Sequence, residues 1–132
     1  MVMAHWGFDT DEATLRLYCK TDLLGTSAKD AVACAKHFGF DAIEVRGASF
    51  SNLGEWLTKG FYPILLLNLF PLDALWVSHA VVLEHVSDER VVYLDPAQGR
   101  RTANLIAFEQ AWQMGKNRAI LVASLHNKAQ LP

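Results

Sequence analysis

A chain of 132 residues with 52% apolar and 20% charged side chains is long enough for one compact domain with a dense core, and lies far from the composition of disordered segments. Its formal net charge is -2 and no run of Lys or Arg is longer than Arg100-Arg101, so the electrostatic footprint of a nucleic-acid binder is missing. The longest apolar run, Tyr62 to Phe70, falls far short of the ~20 residues a membrane-spanning helix needs, and no charged segment precedes an apolar stretch at the start, so a soluble, cytoplasmic chain without an export signal is expected.

Met1 to Trp6 followed by Gly7 reads as the last turns of a helix, and the lack of an N-cap suggests that its beginning lies before Met1. Asp9 to Glu12 resembles a capping box and opens a second helix on which Leu15 and Tyr18 share a face. Thr26-Ser27 starts the next helix, with Ala31, Cys34, Ala35 and Phe38 on one stripe and Gly39 as its stop. Asp41 to Arg46 alternates as a short strand. Ser51 is expected to cap a helix carrying Leu53, Trp56 and Leu57 that Gly60 ends.

Tyr62 to Asn68 is apolar on both faces, which fits a central strand. After a loop over Phe70 to Leu75, two strands joined by a polar turn run from Trp76 to Asp95. Asn104 to Met114 predicts a helix with Phe108, Ala111 and Trp112 inward, and Arg118 to Leu125 a final strand. Helices come first and strands later, without repeats or linkers. The expected architecture is a single domain over residues 1–132, α+β, with N-terminal helices packed on an antiparallel sheet.

The hairpin contains His79 near its start and Asp95 at its end. If the chain turns about Ser87, Val86 faces Asp88, Leu83 faces Val91, Val81 faces Tyr93, and His79 stands opposite Asp95. Side chains alternate along a strand, so imidazole and carboxylate would then share one face with Cβ atoms about 5 Å apart. Such a pair fixes one tautomer of the ring and leaves its other nitrogen free. The alignment requires a loop of odd length. Against it stands the plainer reading, in which the histidine is structural and Asp95-Pro96 only ends a strand.

Other candidates are weaker. Cys19 and Cys34 fall on helical stripes and are expected to be small core residues without a disulfide framework, in a reduced setting. Ser78 must point away from His79. His85 shares the strand and expected face of His79 but lies about 20 Å along it. His5, His37 and His126 have no partner at ligand spacing, so neither a metal nor a cofactor is expected. Trp56 and Trp112 are expected to anchor the core.

The order His79-Ala-Val-Val-Leu83, a polar turn, Val91-Val-Tyr-Leu-Asp-Pro-Ala-Gln-Gly-Arg100, then Phe108-Glu-Gln-Ala-Trp112 and a closing strand resembles the C39 peptidase family. Leu24-Gly-Thr-Ser27 and Phe38-Gly-Phe-Asp-Ala42 resemble that family's middle section. The resemblance covers almost the whole chain and implies a papain-like cysteine peptidase fold, with cleavage of double-glycine leader peptides as the activity. It implies His79 as the general base and Asp95 as the group that orients it, acting on a thiolate that attacks the peptide carbonyl.

In that family the cysteine opens the first helix, a few residues after a glutamine. The resemblance places both before Met1, so the chain as given is expected to be inactive or truncated. A form lacking the front of a helix would expose apolar surface and tend to self-associate. The implied partners are a leader-peptide substrate and an ABC transporter to which the domain belongs. The alternative is a non-enzymatic domain that docks a peptide or secretion substrate on its sheet edge or groove.

Overall fold

The computed structural model describes residues 28–123 and 128–132. The helices expected over Met1 to Gly7 and from Asp9 lie outside the described residues. The described residues fall into two compact units, one made of 28–44 with 120–123 and 128–132, the other of Val45–Ala119.

The first unit contains helix α1 (Ala28–His37), nearly all of strand β1 (Asp41–Val45) and of β6 (Ala119–Ala123), and a short 3-10 turn at Lys128–Gln130. Gly39 ends α1 as expected: at φ +88 it takes the left-handed conformation that side chains avoid, and Phe40 N–H returns to Ala35 O at 3.0 Å. Every residue of β6 is buried, which explains its unbroken apolar run. Cys34 is buried on α1, and its sulfur is disulfide-bonded. This corrects the expectation of a reduced thiol, because pairing depends on two cysteines approaching in space and leaves no trace in helical periodicity.

The second unit holds α2 (Phe50–Thr58), β2 (Ile64–Asn68), α3 (Phe70–Asp73), β3 (Ser78–Val86), β4 (Arg90–Asp95), β5 (Gly99–Asn104) and α4 (Leu105–Met114). Strands β2, β3, β4 and β5 lie side by side in that order, each antiparallel to the next. One face is the core. Leu65 and Leu67, Val81 and Leu83, and Val91 and Tyr93 are all at most 1% exposed, and α4 covers them with Phe108, Ala111 and Trp112, Phe108 meeting the Tyr93 ring at 5.2 Å between centroids. The indole of Trp112 donates to Arg118 O at 2.9 Å, so its polar atom is satisfied in the core.

Three local expectations change. The cap of α2 is Ser49 rather than Ser51: Ser49 Oγ accepts from Asn52 N–H while Asn52 Oδ1 takes the Ser49 N–H. This is a capping box closed by Asn, outside the usual Ser-x-x-Glu pattern. The loop after β2 contains the short helix α3, with Pro71 in its first turn. Strand β5 was not expected at all, because Gly-Arg-Arg-Thr-Ala-Asn has no apolar alternation. It forms at the sheet's edge, where charged side chains suit a strand with one open side.

Candidate active site

His79 and Asp95 meet, by a route different from the expected one. Val86 pairs with Val91 rather than facing Asp88, and the turn closes over Ser87 to Arg90 with Ser87 N–H on Arg90 O at 3.0 Å. Continued regularly from there, the ladder would set His85 against Val92, Glu84 against Tyr93 and Val82 against Asp95. His79 would then face away. Instead Leu83 pairs with Tyr93 and Val82 with Leu94, and Glu84 is an extra residue between Leu83 and His85. This β-bulge returns residues 79, 81 and 83 to the face of 93 and 95. It also places His85 opposite Val92 on the outer face, correcting the expectation that His85 shares the face of His79.

One further step along the ladder sets Val81 against Asp95, so His79 lies on the diagonal, within reach of a long side chain. His79 Nε2 stands 2.9 Å from Asp95 Oδ1. An ionised carboxylate as acceptor calls for the proton on Nε2, which in the neutral ring leaves the lone pair on Nδ1. The carboxylate is 2% exposed and the ring 26%, so the pair is anchored inward and reachable from outside at the imidazole.

Asp95 is the one buried charged residue among the described residues. Burial pushes its carboxyl up, but hydrogen bonds from His79 and from the Ala97 and Gln98 backbone outweigh that and hold it below the usual carboxylate range. Ala97 N–H reaches Oδ1 at 2.8 Å, an Asx-type turn that the Asp-Pro-Ala sequence builds.

Two residues next to this pair were missed by sequence reasoning. Arg101 on β5 stands 3.8 Å from Asp95 Oδ2 through Nη1, and its fork grips both oxygens of Asp73 on α3 at 2.9 and 2.8 Å. Those bonds hold the Asp73 carboxyl below its ordinary range and raise Arg101 above its own. No periodic pattern marks either residue: Asp73 lies in the segment expected to be a loop, and Arg101 in one to which the pattern assigns no element.

The remaining candidates lie elsewhere. Ser78 pairs with Asn68 on the outer face. Trp56 and Trp112 are core residues, as expected. His37 packs edge-on against Phe38. Cys19, His5 and His126 fall outside the described residues, which contain no free cysteine, no cluster of three His, Cys, Asp or Glu able to hold a metal, and no helix long and apolar enough to cross a membrane.

Residues 1–126 match the model of the Peptidase C39 family. Among solved structures the chain is similar to the peptidase domain of Streptococcus ComA, a bifunctional ABC transporter involved in a quorum sensing pathway. That match has a TM-score of 0.75 and 22% identity over 93% of this chain and 85% of that one. It is similar also to a double glycine motif protease from an AMS/PCAT transporter, solved in complex with the leader peptide (TM-score 0.74, 20% identity, 94% and 79% covered). A C39-like peptidase from Bacillus anthracis matches at TM-score 0.77 and 17% identity, with 93% and 84% covered. No curated protein sequence matches the chain. The mixed helices and antiparallel sheet are those of C39 peptidase domains.

Proposed function

The chain belongs to the peptidase C39 family, and from that premise we propose that it binds leader peptides of the double-glycine type, with His79 and Asp95 as the imidazole and carboxylate of a cysteine-peptidase site. The observation that carries this reading is the 2.9 Å contact from His79 Nε2 to a buried Asp95, which leaves Nδ1 as the nitrogen able to face a thiol. In the reaction, Nδ1 takes the thiol proton and the thiolate attacks the peptide carbonyl. The imidazolium then protonates the leaving amine, and water hydrolyses the acyl-enzyme.

The cysteine content limits what the 132-residue chain does alone. Cys34 is buried with its sulfur bonded, so it supplies no thiolate. The sequence holds one other cysteine, Cys19, so a bond made within the chain leaves no free thiol. The reading is therefore that this chain, by itself, binds a leader peptide without cutting it. An exposed aromatic surface supports binding: Phe70 and Trp76 stack at 4.4 Å between centroids in the segment that leads into His79, with Leu75 and Val77 also exposed.

The test is a labelled synthetic peptide with a Gly-Gly junction, mixed with the purified chain and followed by fluorescence anisotropy and mass spectrometry. Expected are saturable binding and an intact peptide. Absence of binding refutes the reading. Cleavage at the junction would overturn the reading that the chain, by itself, does not cut.

A further inference from the structure

Two carboxylates share one guanidinium on the inner face of the sheet. Arg101 gives Nη1 and Nη2 to the two oxygens of Asp73, and the same Nη1 stands 3.8 Å from Asp95 Oδ2. The three side chains come from β5, α3 and β4, with Asp73 28 residues before Arg101. Tyr93 holds the cation from another side, its ring centroid 5.9 Å from Arg101 Cζ. Arg101 and Asp73 are three-quarters or more buried as side chains, at 25% and 18% exposure, so solvent screens their contact less than it would on an open surface.

The two oxygens of a carboxylate are equivalent until something distinguishes them. In Asp95, Oδ1 receives His79 and the Ala97 N–H, the Gln98 N–H also reaches the carboxylate, and Oδ2 faces the cation. A cation on Oδ2 opposes rotation of the carboxylate and keeps Oδ1 toward the imidazole. Arginine can do this while bound to a second carboxylate, because its planar fork spreads five donors; a lysine ammonium cannot span both in that geometry. Asp73 belongs to the 69–77 loop, which Leu69 N–H closes on Val77 O at 3.0 Å, immediately before Ser78 and His79.

We infer that Arg101 is a positioning residue with two tasks: it anchors the 69–77 loop through Asp73, and it holds the Asp95 carboxylate turned toward His79. The inference rests on the reading of His79 and Asp95 as the reacting pair. Its test needs no leader peptide, so the two can fail separately.

A charge swap separates the two tasks. Arg101→Gln removes both; Asp73→Arg combined with Arg101→Asp restores an ion pair between loop and sheet but sets a carboxylate beside Asp95. The readouts are the thermal midpoint and the Nε2–H resonance of His79 in 1H–15N NMR, visible when the ring hydrogen is held against exchange. For Arg101→Gln a fall of about 5 °C in the midpoint is expected, together with loss of the His79 resonance. The swapped protein regains part of the midpoint, the new carboxylate repelling Asp95, and does not regain the resonance.

Recovery of both in the swap would overturn the inference and leave Arg101 as a loop anchor alone. So would an unchanged resonance in Arg101→Gln. If Arg101→Gln does not fold, Arg101→Lys serves in its place: its resonance is expected to be weakened, and one equal to wild type overturns the inference. A protein that behaves as expected here yet binds no leader peptide keeps this role for Arg101 and loses the proposed function.

Discussion

The imidazole of His79 reaches the carboxylate of Asp95 at 2.9 Å along a diagonal of the β3–β4 ladder, and the parity that allows it is set at Glu84. A strand that has absorbed one extra residue at a bulge keeps its pairing when that residue is removed, because Leu83 already faces Tyr93 and His85 already faces Val92.

Deletion of Glu84 is therefore expected to leave the fold and the His79–Asp95 contact intact, losing little beyond the exposed Arg100–Glu84 ion pair. Deletion of Val82 shifts the register on the other side of the bulge and turns His79 and Val81 off the core face. Each buried aliphatic side chain is worth about 1.5–3 kcal/mol, so this second deletion should lower stability severely. Thermal melts of the two proteins decide. Equal damage from both deletions would mean that Glu84 is not the extra residue.

Acid should destabilise the site through its carboxylates. Asp73 and Asp95 have native pKa values below their ordinary 3.8, as Glu84 does relative to 4.5, held there by Arg100. A depressed native pKa contributes stability that is present above the unfolded value and is lost as pH falls through the native one. Unfolding free energy from urea titrations should accordingly drop as pH is taken from about 4.5 downward. Asp73→Asn should flatten part of that slope; parallel curves for the two proteins would contradict the assignment.

At the end of α4, Gly115 lies against the backbone of β2. A Cβ built there would collide with the Leu66 carbonyl, although the φ of -86 is one any residue adopts. Gly115→Ala is expected to cost about 1–3 kcal/mol, the range for overpacking a filled site. Chemical denaturation measures it, and a neutral substitution would show that helix and strand can separate there at no cost.

The other end of α4 depends on Asn104, whose Oδ1 accepts from Ile106 N–H at 2.9 Å and Ala107 N–H at 3.3 Å. Asn104→Ala should lose about 1 kcal/mol, and Asn104→Asp should recover most of it, since an aspartate caps equally well and favours the positive helix end. If Asn104→Asp is no better than Asn104→Ala, the cap contributes nothing.

Much of this arrangement was legible in the residues. The alternation of Val91, Tyr93 and Asp95, the inward stripe of Phe108, Ala111 and Trp112, and the apolar run of β6 are local patterns that burial imposes, and each appears in the structure. His79 and Asp95 stand out in the sequence as candidates, and they share one face as strand alternation predicts, by a different route. The odd residue that aligns them lies in the strand, at Glu84, and not in the turn, because bulge and loop length change side-chain parity equally and nothing in a single sequence separates them. Strand β5, the Arg101 fork across Asp73 and Asp95, and the bonded sulfur of Cys34 were decided by tertiary structure alone. Each depends on a partner outside its own segment, such as β4 for β5 and Asp73, 28 residues back, for Arg101, a relation to which hydrophobic periodicity, a property within one element, is blind.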